Sequence, residues 1–283
     1  MTYSPAYRTL LLVVILLSGC QKDKEALREG QDSLSIATNQ ETKASSEFLK
    51  SEFALKTNTY KNYLLQRLPS LLLVQSPFYS IADVTFQVNL YKENENILLV
   101  EEQTDFEDGG QSLKRFFLQN QQILLIEYLQ KSRRLGKEKW EKTTTYFPTV
   151  VTPRVFQKEA DSFQALYQDE EGWKEIKIST EVENWYQVEE KDMQELIAAA
   201  NGTGNYVLFF QDIEDYGNGD LYLRTATKEE HDVAFFIAKP DSIILKIQQN
   251  RHNFVGRFVK VVFTIQTIDG DRRAVYHHLK FLN

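Results

Sequence analysis

Alternation of apolar and polar residues constrains the fold of this 283-residue chain more than any other sequence feature. From Val84 to Leu90, apolar and polar residues take turns at every position, which is the period of a half-buried β-strand. Short polar segments then separate four further apolar runs, at 97–100, 113–118, 123–129 and 140–147. Short connections between such runs predict an antiparallel meander.

A helical pattern precedes these strands. Leu49, Phe53, Tyr60 and Leu64 recur near one helical face, and Pro69 ends the pattern. A helix followed by about five antiparallel strands predicts an α+β unit over residues 46–152, with the helix on one face of the sheet.

The second half, residues 153–283, is predicted to be a β-rich domain with one short helix. Asp192 begins a capping-box pattern, and the helix it opens is predicted to stop at Asn201-Gly202. Further strands are predicted at 163–167, 173–178, 206–210, 221–224, 233–237, 243–247, 259–265 and 275–281. Asp269-Gly270 predicts a hairpin turn between the last two. The expected fold class is therefore α+β, mainly antiparallel β, with a second barrel-like or strongly curved sheet.

The amino terminus carries the most specific motif. One basic residue, Arg8, precedes eight consecutive apolar residues, 10–17, which span about 12 Å as a helix, too short to cross a bilayer of roughly 30 Å. The following residues, Leu17-Ser18-Gly19-Cys20, resemble the lipobox of bacterial lipoproteins. Cys20 is also the one cysteine of the chain, so no disulfide within the chain can form.

This resemblance implies a signal peptide over residues 1–19, with Leu17, Ser18 and Gly19 read by the signal peptidase. It also implies acylation of Cys20, with chains such as palmitate as a stable membrane anchor. Gln21 occupies the position where Asp retains lipoproteins in the inner membrane, so the resemblance implies the outer membrane, at its periplasmic or surface face. Residues 20–45 are polar and are expected to form a flexible tether.

Charge narrows the class of partner. The net charge is −7, whereas general nucleic-acid binders carry a surplus of Lys and Arg, so no nucleic-acid partner is expected. Two segments are locally basic: 131–142 has six bases and two acids, and 246–283 has seven bases and two acids. Either segment could contact anionic headgroups or polysaccharide, or could simply be solvated.

No residue of the sequence is assigned a catalytic, cofactor-binding or metal-ligating role. Neither a nucleophile elbow nor a phosphate loop is present, and Gly202-Thr203-Gly204 is interpreted as a helix stop. His277 and His278 are neighbours in a predicted strand and cannot share one ion, and His277 is interpreted as a core residue. The acidic segment 212–220 departs from the calcium-loop pattern at Tyr216, and is interpreted as a solvated turn.

Adjacent carboxylates occur at 101–102, 107–108, 170–171 and 189–190, and are interpreted as exposed acids. The leading hypothesis is a lipid-anchored, non-catalytic binding or assembly module of the cell envelope, with an envelope protein, a lipid or a glycan as partner. Two alternatives remain: a lipid or lipoprotein carrier, which requires an apolar cavity, and a surface carbohydrate-binding protein or glycan-active enzyme, which requires exposed aromatic residues near carboxylates.

Overall fold

The structure is a computed structural model that describes residues 47–134, 137–148, 153–168, 172–176, 185–217 and 219–282. The α-helices that lie wholly within these residues are α1 (Glu52–Arg67), α2 (Phe163–Gln168), α3 (Trp185–Asn201) and α4 (Ser242–Gln249). The strands of the first half are β1 (Leu72–Gln75), β2 (Tyr79–Ile81), β3 (Val84–Glu93), β4 (Asn96–Phe106), β5 (Gln111–Gln119), β6 (Gln122–Arg134) and β7 (Lys137–Tyr146). Those of the second half are β8 (Arg154–Ala160), β9 (Lys174–Ile176), β10 (Leu208–Asp215), β11 (Leu221–Ala226), β12 (Asp232–Phe236), β13 (Phe258–Ile268) and β14 (Asp271–Phe281).

The expected antiparallel meander is confirmed. Strands β2 to β9 pair with their sequence neighbours in order, and β1 pairs with β3. Two-residue turns join β3 to β4 and β5 to β6, at Asn94-Glu95 and Asn120-Gln121. Asn94, Asn120 and Gln121 all have positive φ angles, which matches the right-handed twist of the paired strands. Asparagine tolerates this conformation better than most residues, so the turn sequence supports the pairing.

Helices α1 and α3 lie on opposite faces of the meander. Lys61 of α1 contacts Glu127 of β6, whereas the hydroxyl of Tyr186 in α3 accepts a hydrogen bond from the backbone N–H of Ile123. Glu189 of α3 contacts Lys114 of β5. Neighbouring residues of a strand point to opposite faces, so each helix contacts every second residue of the strands beneath it. The apolar side chains on the face under α3 belong to one core cluster, which includes Leu90, Val100, Phe116 and Ile126.

The barrel-like unit is also confirmed. Strands β10, β11, β12, β14 and β13 form a closed ring, because β13 pairs back onto β10. Strand β12 runs parallel to β14, and helix α4 lies between β12 and β13 in the chain. A three-stranded meander, a helix and a final hairpin in this order give the connectivity of OB-fold barrels. Strand β12 also pairs with β2, which joins the barrel to the meander.

Three local predictions are wrong. Segment 163–167 is helix α2, where the Ser162 hydroxyl accepts a hydrogen bond from the Ala165 N–H. Segment 243–247 is helix α4, capped by Asp241, whose carboxylate accepts from two backbone N–H groups. Short apolar runs do not distinguish a strand from a buried helix, so the capping residues decide. Helix α3 begins at Trp185, not at Asp192, which lies inside it.

The end of α3 is as predicted. The N–H of Gly202 donates to the carbonyl of Ala199, and the N–H of Thr203 donates to the carbonyl of Ala198. This pair of bonds is a Schellman motif, and Gly202 adopts its left-handed conformation with φ of +62°.

Residues Phe53–Asn283 group into one compact unit. Strands β7 and β8 lie on either side of the predicted domain boundary at 152–153, and they pair with each other. The division into two domains at this point stays a prediction.

Candidate functional site

The outer surface of the barrel carries a cluster that we call the aromatic–arginine site: Tyr216, Tyr222, Arg224, Phe236 and Arg273. Tyr222 and Phe236 face each other across β11 and β12. Their chain neighbours Leu223 and Phe235 are fully buried inside the barrel. Because side chains alternate along a strand, Tyr222 and Phe236 must point outward.

The three rings of the site form one continuous contact. The centroid of Tyr216, in the turn after β10, lies 5.4 Å from that of Tyr222, and the Tyr222 centroid lies 5.5 Å from that of Phe236. Both pairs are edge-to-face, an arrangement that the ring quadrupoles favour. Tyr216 is 58% exposed, while the other two rings are partly buried. The site therefore presents one open ring supported by two partly covered ones.

Arg273 of β14 borders the rings on one side. Its guanidinium carbon lies 5.4 Å from the centroid of Phe236, within the range of a cation–π contact. Its Nη1 donates to the hydroxyl of Tyr222 at 3.2 Å and lies 3.5 Å from Oδ2 of Asp220. These contacts hold a planar cation beside the aromatic surface.

Arg224 and Glu214 border the rings on the other side. Nη1 of Arg224 lies 3.8 Å from Oε2 of Glu214, and Nη2 lies 4.0 Å from Oδ1 of Asp232. The Tyr216 hydroxyl donates to Oε2 of Glu214 at 2.8 Å, and this bond raises the pKa of Tyr216. The hydrogen bond to Glu214 therefore fixes the orientation of the exposed Tyr216 ring.

This arrangement suits binding of a ring-shaped, hydroxyl-rich ligand. An exposed aromatic face packs against an apolar ring surface. The guanidinium and carboxylate groups around it offer both donors and acceptors, and the arginines match bidentate acceptors.

A second cluster of charged groups lies between the meander and α3. Nζ of Lys114 lies 2.8 Å from Glu189 and 2.5 Å from Asp192, and these pairs clamp the helix to the sheet. Glu102 is the cross-strand partner of Lys114. Burial raises the pKa of Glu102 to about 7, and the Asp192 charge adds to the rise while Lys114 opposes it. This carboxyl can therefore exchange a proton near neutral pH.

A third cluster lies on the opposite face of the meander, under α1. Oε1 of Glu127 lies 2.9 Å from Nζ of Lys61 and 2.7 Å from Nζ of Lys142. Beside it, Nε of Arg115 donates to Oε2 of Glu101 at 2.8 Å. Burial alone would raise the pKa of Glu127, but the two lysines lower it to about 2. This cluster joins the helix to the sheet with buried charges.

The acids of the 212–220 segment do not form an isolated solvated turn. Residues 212–215 belong to β10, and Asp212, Glu214 and Asp220 each pair with an arginine. Within the described residues, no group of three or more His, Cys, Asp or Glu side chains could hold a metal ion. Tyr216, which breaks the calcium-loop pattern, is the exposed ring of the aromatic–arginine site.

The interpretation of His277 as a core residue is wrong. His277 is exposed and its Nε2 lies 2.9 Å from the Thr264 hydroxyl oxygen. The register skips His277, since Val262 pairs with His278 and Phe263 pairs with Tyr276. The extra residue of this β-bulge turns both histidines to the outside.

The buried histidine is instead His231, whose ring stacks at 5.7 Å on Tyr206. Its Nδ1 lies 3.0 Å from the hydroxyl oxygen of Thr227. Burial lowers the pKa of His231.

Several acids interpreted as exposed are paired: Glu101 and Glu189 are buried, and Glu102 is half-buried. Glu101 and Glu102 point to opposite faces of β4, where they lie beside Arg115 and Lys114 respectively. Glu189 contacts Lys114 from α3. In the basic segment 131–142, Lys131, Lys139 and Lys142 each pair with a glutamate. The pairs were missed because their members come from different strands and helices.

Sequence reasoning also missed four members of the aromatic–arginine site. The outward parity of β11 provides a usable signal for Tyr222 and Arg224, once Leu223 is placed inside. Phe236 has the same signal on β12, once Phe235 is placed inside. Arg273 has no local signal, because it reaches the site from β14, about fifty positions after Tyr222.

Cys20 and its lipobox residues, with the tether, lie outside the described residues. Among the helices that the structure describes, none is long and apolar enough to span a bilayer. Comparison of the chain with protein families, curated proteins and solved structures gives no match.

Proposed function

We propose that this protein is a non-catalytic binding module of the cell envelope, anchored by acyl chains on Cys20, and that the aromatic–arginine site binds an oligosaccharide. The observation that carries the proposal is the open Tyr216 ring, supported by Tyr222 and bordered by Arg224 and Arg273. The lipobox resemblance supports the location.

The charge of the site favours a sugar over a nucleic acid. The two arginines face Glu214, Asp220 and Asp232, so positive and negative groups are balanced around the rings. A phosphate backbone requires a surplus of cations along its path. Sugar hydroxyls both donate and accept hydrogen bonds, and a mixed border of arginine and carboxylate satisfies both roles.

The connectivity of the barrel is consistent with this proposal. In OB-fold barrels, the outer face of the second and third strands and the loop between the first and second strands bind oligosaccharides and oligonucleotides. Strands β11 and β12 occupy those positions here, and Tyr216 lies in the corresponding loop. Because fold does not determine function, the side chains of the site carry the argument and the connectivity only supports it.

The described interior favours the binding module over a lipid carrier. Large buried side chains, including Tyr79, Phe116, Phe210 and Phe235, fill the cluster between the meander, α3 and the barrel. These residues occupy the space that a carrier would use for an acyl chain.

Binding of labelled full-length protein to an array of purified oligosaccharides tests the proposal. For any sugar that binds, we expect Tyr216→Ala to weaken the affinity by about tenfold, because a lost ring contact contributes about 1.4 kcal/mol. Tyr63→Ala is the matched control, because Tyr63 of α1 is 54% exposed and lies outside the site. Calorimetric titration of each variant measures the difference.

Two results would contradict glycan binding: no sugar on the array binds, or both tyrosine variants weaken binding equally. A single-stranded oligonucleotide that binds more tightly than every sugar would assign the site to nucleic acid instead.

Anchoring has a separate test. Cys20→Ser should abolish metabolic incorporation of a labelled fatty acid, since the chain has no other cysteine. Incorporation that persists in this variant would refute acylation at Cys20.

A further inference from the structure

The hairpin of β13 and β14 has an outer surface that is separate from the aromatic–arginine site. Lys260 pairs with Lys280 and Val262 pairs with His278 across the two strands, and the N–H of Leu282 donates to the carbonyl of Phe258 at 2.9 Å. We call these six residues the hairpin face. The intervening Val259, Val261 and Leu279 are buried, so the six alternate side chains point outward.

Three apolar side chains of the hairpin face are exposed. Phe258, Val262 and Leu282 are 40%, 50% and 38% exposed, although none of them lies at the tip of a turn. The patch extends to Phe209 on β10, whose ring centroid lies 5.4 Å from that of Phe258. Phe209, Phe258 and Leu282 thus lie side by side, and Val262 lies beyond the Lys260–Lys280 pair. Apolar side chains grouped on an outer face are typical of a contact surface.

The two lysines of the hairpin face oppose each other directly. Like charges at facing positions of an antiparallel pair destabilise the pairing. Both ammonium groups are exposed, and within the described part of the chain neither has a hydrogen bond or an ion pair. Asp241 is engaged elsewhere, because its Oδ2 lies 3.6 Å from Nδ1 of His278 and accepts a hydrogen bond from Tyr276. An external anion would relieve the lysine repulsion.

We propose that the hairpin face lies on a bilayer that carries anionic phospholipids. Lys260 and Lys280 meet the phosphates, and Phe258, Val262 and Leu282 enter the boundary between headgroups and acyl chains. A bilayer surface offers negative charge and an apolar layer a few ångströms apart, which matches a lysine pair that lies between exposed apolar side chains on this face. A soluble polyanion satisfies the lysines alone.

This placement goes beyond the proposed function and depends neither on glycan binding nor on acylation of Cys20. A local fluorescent label tests it in the full chain, because Cys20→Ser removes the one cysteine and leaves a site of choice for labelling. Val262→Cys in that background places an environment-sensitive dye on the hairpin face. Gln194→Cys places the same dye on the exposed side of α3 as the matched control.

Vesicles of phosphatidylcholine mixed with phosphatidylglycerol should shift the emission of the Val262 label to shorter wavelength, and vesicles of phosphatidylcholine alone should not. The Gln194 label should not respond to either. Lys260→Gln with Lys280→Gln should raise the lipid concentration needed for half of the shift by about 25-fold, since each lysine near an anionic surface contributes a factor of roughly five. Any membrane contact of residues 1–19 is common to all variants, whereas the dye reports only its own position.

Several results with vesicles would overturn the placement. They are no shift at Val262, an equal shift at Gln194, the same shift with neutral vesicles, and an unchanged response after both lysines are replaced. Soluble heparin that shifts the Val262 label as far as the anionic vesicles do would assign the face to a polyanion, and would also overturn the bilayer proposal. Because both lysines are exposed and repel each other, their replacement should leave the fold intact, and an unchanged urea midpoint checks this.

Discussion

Replacement of Glu127 by glutamine should destabilise the protein more than any single surface change. The Glu127 side chain is 6% exposed, the Lys142 side chain is 7% exposed, and both Lys142 and Lys61 lie within 2.9 Å of the same carboxylate oxygen. Glu127→Gln keeps the shape of the side chain but leaves two nearly buried ammonium groups without their counter-charge. Breaking a buried ion pair from one side costs about 3–5 kcal/mol.

The lowered pKa of Glu127 gives a second value for the stability that this carboxylate contributes. The two lysines lower the pKa of Glu127 from 4.5 to about 2 despite its burial, which corresponds to about 3 kcal/mol of folding free energy at neutral pH. For a carboxyl with a lowered pKa, this contribution is present above the unfolded-state value of 4.5 and is lost as the pH falls towards 2. The difference between wild type and Glu127→Gln should therefore be full at pH 7 and should shrink below pH 4.5.

Urea unfolding followed by circular dichroism measures this difference, with the free energy taken from the midpoint and slope. Glu138→Gln is the matched control, because Glu138 pairs with Lys131 at 2.8 Å but is 55% exposed, and such pairs contribute about 0–1 kcal/mol. In a double-mutant cycle, Lys142→Met should cost less in the Glu127→Gln background than in the wild type. A loss for Glu127→Gln no greater than that for Glu138→Gln, or a loss that does not diminish below pH 4.5, would refute the stabilising role of this buried cluster.

Three further changes test other parts of the fold. Burial raises the pKa of Glu102 to about 7, so ionisation of this carboxyl destabilises the folded chain. Glu102→Gln should therefore raise the melting temperature above pH 7 and leave it unchanged below pH 4.5. A melting temperature that matches wild type at every pH would refute the raised pKa. Phe235→Ala should lower the free energy of unfolding by about 3–5 kcal/mol, because its ring fills the barrel core. Phe236→Ala on the outer face should cost clearly less in the same urea titration. Equal losses would contradict the placement of Phe235 inside the barrel and Phe236 outside. Asp241→Ala removes the cap of α4 and should cost about 0.5–2 kcal/mol by chemical denaturation, and an unchanged midpoint would show that the cap is dispensable.

The order of the strands in the meander could be predicted because its information is local. Alternation from Val84 to Leu90 assigns one face to the core, and turns with Asn94 and Asn120 set the register of the next strands. The same reasoning was wrong for 163–167 and 243–247, where the apolar run is shorter than two helical turns. In both cases a capping side chain just before the run, at Ser162 or Asp241, was the information that the periodicity lacked.

The sequence by itself determined the strand-rich character, the hairpin turns and the helix stop at Gly202, because periodicity and turn chemistry act over a few neighbouring residues. It also carries the prediction for Cys20, which is a motif of adjacent residues. Only the tertiary structure decided which charged residues are buried and which aromatic residues meet. Glu127 is held by a helix more than sixty positions earlier, and Arg273 joins Tyr222 across about fifty positions. Such contacts follow from sheet closure and helix packing, which no local pattern records.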